Sequence, residues 1–500
     1  MGTIRAEKAC HNCRRRRLRC DRGVPACQKC SRTGQECLGY GKLFLWNQGV
    51  ASRGKMMGQS YPVPYTRESK SSTAGLPLVS MQAPLLDPLL QGLNDTSRRY
   101  LFHFATHLSS EMVISDIANN PFRSLIPLCK EHPMLLHSII ANAALHLSCL
   151  HTQSLTGSAD HATLAYPGDQ SRILIDALSS KHKALVLLRQ SLDDISTIDI
   201  DLLVAVIHFF ITFELIGPGA DEWRAHVQGA IRLINYLQTL QAHHVSPVDI
   251  IRDRITADCL TFYILGSTLM STTSLSDPFL FPGDITAALT RAESTSYLSL
   301  PTPLLQVLFK ACELSNLISL PNTNVTTMKT HATALLTTTT SFNIQTWASS
   351  LEPPSSPRAF SRIHTAHAHQ NAVRLYICRS TNQISLLGED PEAVVTKIIT
   401  HLSFVGVTDD MFKATSWPTF MAGAETTNPV YRRWAVERLC VFWDSIPWGY
   451  LKTAVEVMRA AWGLRDGYQS PGVDGEGDGM QGSENWIQHL KGLKRYPLIA

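Results

Sequence analysis

Six cysteines occupy the first 37 positions of the chain, Cys10, Cys13, Cys20, Cys27, Cys30 and Cys37, in the order C-x2-C-x6-C-x6-C-x2-C-x6-C. Sulfurs this closely spaced, in a stretch with one histidine, His11, can either pair as disulfides or hold a metal. A disulfide framework suits small secreted domains, and MGTIRAEKACHNCRRRRLRC offers no apolar run of the kind a secretory leader carries. Metal is the better reading. Structural zinc takes four ligands, so one ion would strand two cysteines, whereas two ions need eight ligand positions from six sulfurs. Two thiolates must then bridge. The run divides into Cys10/Cys13/Cys20 and Cys27/Cys30/Cys37, and sharing the leading cysteine of each half, Cys10 and Cys27, gives both zincs four sulfurs. Two zincs against six thiolates leave a formal charge of minus two, which Arg14, Arg15, Arg16, Arg17 and Arg19 stand close enough in sequence to offset.

The same arginines suit nucleic acid. The whole chain carries a net charge of +4, yet thirteen Lys/Arg against three acids in residues 1 to 60 place +10 there, leaving a mildly acidic remainder. A basic head on an acidic body favours phosphate binding by the head alone, with a steep salt dependence. A helical turn and a half starting at Cys13 would point Arg16 and Arg17 away from the metals toward a groove, where guanidinium can pair with guanine O6 and N7. The run also fits a nuclear-import signal, and the two roles are compatible.

The segment ACHNCRRRRLRCDRGVPACQKCSRTGQECLGYGK resembles the fungal zinc binuclear cluster domain: the basic run after the second cysteine, Asp21 after Cys20, and the P-A-C of the second half with Pro25. The resemblance implies a short helix and an extended strand in each half, a proline-shaped linking loop, and recognition of CGG triplets by the second basic residue of the pair, here Arg17 beside Arg16. LFLWNQGVASRGKM and the helical pattern downstream are similar to regulators with the second type of fungal transcription-factor domain. This resemblance implies a nuclear, zinc-dependent regulator of RNA polymerase II genes that contacts double-stranded DNA and the transcription machinery, with drug response or secondary metabolism as its field.

The elements that must carry this head are organised simply. The expected fold is mostly α: a cluster domain over 1–45, a Pro/Ser/Gly-rich linker over 46–93, an all-helical regulatory domain over 94–466, and a Gly-rich acidic segment with a terminal helix over 467–500. No heptad runs three repeats in the linker, so any homodimer must form through the helical domain. Cap residues ahead of Tyr100, Leu101, Phe104 and Leu108, and Pro133 ahead of an apolar stripe, mark helix starts. DIDLLVAVIHFFITFELIG is apolar enough to be buried but is interrupted by His208 and bounded by Glu214, too short to span a bilayer. The threonine-rich stretch 322–345 reads as a surface loop. Trp223, Phe209, Phe210, Phe213 and Tyr236 could line a small-molecule cavity or simply form core. Trp486, Ile487 and Leu490 beside the acids could serve as an activation segment or as an amphipathic helix over 484–495.

Catalysis has no candidate. His103 and His107 are spaced i, i+4, but Phe104 stands where a zincin needs glutamate. His364 and His367 share a helix face while His369 is turned away, and no phosphate-binding glycine loop or nucleophile elbow is present. The alternative to a DNA-binding regulator is a nuclear interaction scaffold whose zinc module is structural only.

Overall fold

The computed structural model describes residues 6, 8–35, 37, 39–40, 92–115, 120–150, 167–194, 199–219, 222–239, 249–271, 283–318, 324–467, 485–493 and 497–500. The expected linker and the acidic tract therefore lie, apart from a few flanking residues, outside the described residues. Two compact units are distinguished, residues 1–83 and 84–500.

In the first unit, α1 (His11–Arg15) and α2 (Gln28–Arg32) are one-and-a-half-turn helices, each started by a cysteine. Cys10 caps α1 by accepting from the Cys13 amide, and Cys27 caps α2 by accepting from the Cys30 amide, at 3.4 and 3.3 Å. A C-x2-C spacing thus makes sulfur take the place that serine or aspartate oxygen usually fills at a helix start. Neither helix is long enough to stand on its own hydrogen bonds. Residues after each helix are extended or turn rather than strand, and among the described residues no strand ladder forms.

The second unit is built of helices. α3 (Asp95–His103) starts at Asn94, whose side chain accepts from the Ser97 amide, and continues through a π-helical turn, Phe104–Leu108. α4 (Pro133–Leu150) and α5 (Pro167–Asp193) pack together, and α6 (Ile200–Ile216) lies across α4 with every residue buried. The apolar run read from the sequence is this central helix. Its neighbours are α7 (Trp223–Thr239) and α8 (Asp249–Ser267). A second set follows: α9 (Gly283–Ala292), α10 (Thr302–Leu317), α11 (Val325–Ser341), α12 (Ile344–Leu351), α13 (Pro357–Ser380), α14 (Pro391–Ser403), α15 (Ser416–Glu425), α16 (Pro429–Ser445), α17 (Tyr450–Gly467) and α18 (Trp486–Gly492). α13 is its organising rod, touching α10, α11, α12, α14 and α15. One continuous apolar core runs through both sets.

One sequence expectation changes here, and two open alternatives are decided. The threonine-rich stretch forms α11 rather than a loop: Asn324 caps it, and Thr330, Thr333, Thr337, Thr338, Thr339 and Thr340 each return a hydroxyl to the carbonyl four residues back, while Met328, Ala332, Leu336 and Thr339 bury one face. Period outweighed composition. The terminal helix forms, but Trp486 and Ile487 are buried and Trp486 Nε1 donates to Glu425 Oε2 at 2.8 Å, so these residues are core anchors and not a free activation segment. Trp223, Phe209 and Phe210 are packed core, with the Trp223 ring against Gly266, where a Cβ would approach ring carbon to 2.0 Å.

Candidate metal centre and nucleic-acid interface

The six sulfurs converge although they come from two helices and two trailing segments. Cys10 Sγ lies 3.6 Å from Cys27 Sγ and 3.8 Å from Cys30 Sγ, and Cys13 Sγ lies 3.8 Å from Cys27 Sγ. They fall into two overlapping sets of four, Cys10/Cys13/Cys20/Cys27 and Cys10/Cys27/Cys30/Cys37, each within 4.8 Å. Cys10 and Cys27 belong to both. Tetrahedral zinc with sulfur at about 2.3 Å requires sulfurs about 3.8 Å apart, and the three distances match that edge. Disulfides would need about 2.05 Å, and all six thiols are unpaired.

The surroundings divide the thiols into two groups. Burial pushes the thiols of Cys10, Cys27 and Cys30 up. For Cys20 and Cys37 burial is outweighed by backbone N–H donors, which pull them down. The Cys27 amide, for instance, donates to Cys37 Sγ at 3.4 Å. Asp21 holds the second half in place: its carboxylate accepts from the amides of Gln28 and Lys29 at 3.0 and 3.1 Å, and these bonds lower its pKa. Tyr40 closes the cluster, donating its hydroxyl to the Gly23 carbonyl.

Arg14, Arg15, Arg16, Arg17 and Arg19 are all exposed. α1 ends at Arg15, one residue before the arginine pair, and Arg17 takes a left-handed φ of 54°. The expected turn and a half of helix carrying both arginines is therefore too long: the chain reverses at Arg17, whose amide donates to the Arg14 carbonyl at 3.2 Å, and Leu18 N–H returns to Cys13 O at 2.9 Å. The return bond places the sharp turn between two ligand-bearing segments. Arg16 is not wholly free, since its guanidinium donates to Gln35 Oε1 at 3.0 Å. Sequence reasoning missed Gln35, which has no motif to mark it.

The histidines noted in the body do not assemble a catalytic or metal site. His103 Nε2 meets His146 Nδ1 at 2.9 Å, and His146 Nε2 meets Glu111 Oε2 at 3.0 Å. His364 and His367 face His401, with His364 Nδ1 and His401 Nδ1 at 3.0 Å, while His369 is buried and bonds the Ala414 carbonyl at 2.8 Å. Among the described residues the only clusters with metal-ligand geometry are the two sets of cysteines.

Comparison with known proteins agrees with the division between head and body. Residues 8–46 match the fungal Zn(2)-Cys(6) binuclear cluster domain, and residues 99–499 match the fungal specific transcription factor domain. The chain is similar to the acriflavine sensitivity control protein acr-2 of Neurospora crassa, 30% identical over 99% of this chain and 97% of that protein. It is also similar to the sterol uptake control protein 2 of Candida albicans, 30% identical over 35% of this chain and 26% of that protein. A third relative is the pestheic acid cluster transcriptional regulator 3 of Pestalotiopsis fici, 23% identical over 53% of this chain and 57% of that protein. No solved structure matches.

Proposed function

Because the chain belongs to the fungal transcription factors that join a Zn(2)-Cys(6) binuclear cluster to a fungal specific transcription factor domain, we propose that it binds double-stranded DNA in the nucleus, reads CGG-type sites in the major groove, and regulates RNA polymerase II genes. It is a transcription regulator and not an enzyme, and its cofactor is a pair of zinc ions. Cys10, Cys13, Cys20, Cys27, Cys30 and Cys37 hold the zincs, with Cys10 and Cys27 in both coordination sets. Zinc supplies folding energy that two five-residue helices lack. The domain limits proposed are 1–45, 46–93, 94–466 and 467–500, the terminal helix of the last segment being packed into the core of the helical body.

The observation that carries the DNA reading is the turn at Arg17. α1 and the turn after it, bounded by the ligands Cys13 and Cys20, present five exposed arginines, and guanidinium matches guanine O6 and N7 or phosphate. Arg17 takes the base-reading role, with Arg16 beside it, and Arg14, Arg15 and Arg19 take phosphates. The relatives' names, drug sensitivity for one and a metabolite cluster for another, support secondary metabolism or drug response as the regulated field.

The test is a binding titration of the full chain, loaded with zinc, on CGG-containing and scrambled duplexes across a salt series. Preference for CGG by roughly 10³-fold or more, the usual span of specific over non-specific binding, is expected. Equal affinity for both duplexes at physiological salt would instead leave a structural zinc module on an interaction scaffold.

A further inference from the structure

α5 is apolar on two opposite sides, and the body uses only one of them. Ile173, Ala177, Ala184 and Leu188 are buried, and the helix packs on α4. Along the other side Ile175, Leu178, His182, Leu185, Arg189 and Leu192 recur alternately three and four residues apart. That spacing is the seam of a two-stranded coiled coil, with Ile175 at its first position and leucine at the fourth position of three successive heptads. The seam faces solvent. Ile175 is 64% exposed, Leu178 51% and Leu192 45%, Leu185 is half-buried, and exposed Leu174 and Val186 widen the stripe. An exposed apolar face of this kind marks an interaction site.

The charges on the stripe say which partner fits. Arg172 and Asp193, both exposed, stand at its two ends on the same flank, three heptads apart. An acid in the last turn of α5, where no basic residue stands, opposes the dipole of its own helix. In an antiparallel pair of two α5 helices, Arg172 of each copy meets Asp193 of the other, so opposite charges face each other at both ends. The seam closes in the same register: Ile175 faces Leu192, Leu178 faces Arg189 and His182 faces Leu185 of the other copy. A parallel pair sets Arg189 against Arg189 and leaves Arg172 and Asp193 at opposite ends. We propose that α5 pairs antiparallel with α5 of a second copy of this chain, making the helical body a homodimer.

The area sets the strength of the contact. At 1.5 Å per residue the stripe from Arg172 to Asp193 runs about 32 Å, and with a helix about 10 Å wide it covers about 300 Å² per copy. A standard interface buries about 800 Å² per partner. The pairing is therefore weak in isolation, with a Kd in the micromolar range. It does not rest on DNA binding, but under the function proposed above two heads held on neighbouring sites raise the effective concentration and complete it.

Sedimentation velocity of the full zinc-loaded chain without DNA, from about 1 to 100 µM, tests the pairing separately from the DNA reading. A concentration-dependent dimer is expected. Leu178→Asp, at an exposed position, should leave Tm unchanged and weaken the dimer by about tenfold or more. Arg172→Asp and Asp193→Arg each set like charges against one another at both ends and should weaken it by about tenfold. Mixed in equal amounts, these two variants regain opposite charges at both ends and should form a heterodimer. A chain that stays monomeric throughout, which would leave the stripe to another segment or another protein, overturns the proposal. So does a dimer indifferent to Leu178→Asp, or a mixture that recovers no association.

Discussion

Arg17 and Cys10 illustrate how differently two residues of one short segment can be read. Cys10 was legible from ligand arithmetic and spacing, because zinc's four-coordinate geometry requires two of the six sulfurs to bridge and the two halves of the run each lead with one. Arg17 was legible as a charge but not as a conformation: a basic run predicts continued helix, and only the return of Leu18 to Cys13 turns the chain into the left-handed region there. Two predictions belong to this scale. Cys27→Ser, which removes a sulfur common to both four-sulfur sets, should abolish folding of the head and release zinc from about two ions per chain to one or none, read by a chelator-dye assay. Arg17→Ala should weaken CGG binding by about 1–3 kcal/mol while leaving zinc content unchanged; an unchanged affinity for CGG would remove Arg17 from the interface.

Helices show where pattern reading succeeds and where it is blind. α6 was plain in the sequence because seventeen residues with so few polar positions have nowhere to go but the interior. α11 was hidden because threonine is a weak helix former, and what rescues it is a buried face together with hydroxyls satisfied on the preceding turn. α18 was found, but its role was not, since nothing in WIQHL announces that Glu425 and Arg379 await it. Leu336→Asp, on the buried face of α11, should therefore destabilise the body by several kcal/mol, whereas Thr338→Ala, on the exposed face, should change stability by less than about 0.5 kcal/mol; parallel denaturant unfolding distinguishes them.

Over the whole molecule, stability responds to pH through buried bases. Burial lowers the pKa of His369 and His226 to about 4, and neighbouring His146 adds to burial in bringing His103 to about 4. These groups bind protons more readily in the unfolded chain, so their contribution is complete above about 6.5 and is lost as pH falls toward 4. Lys491 is the opposite end of the same effect. Buried in α18, where its Nζ donates to Ser315 Oγ at 2.7 Å, it is held down to about 8 from its usual 10.5. Stability should therefore rise between about pH 8 and 10.5 from this group, and Lys491→Met should flatten that rise in a pH series of urea midpoints. An unaltered slope in the variant would assign the rise elsewhere.

The last residues described bear on how such a molecule can be handled. Leu498, Ile499 and Ala500 are buried, Leu498 N–H donates to the Gly219 carbonyl at 3.0 Å, and Ser416 Oγ donates to the Ala500 carbonyl. Gly219 has a φ of 63°, and a Cβ there would come within 2.9 Å of the Leu498 carbonyl oxygen. A label attached at Leu498, Ile499 or Ala500 would thus start inside the protein rather than on its surface; labels belong elsewhere on the chain.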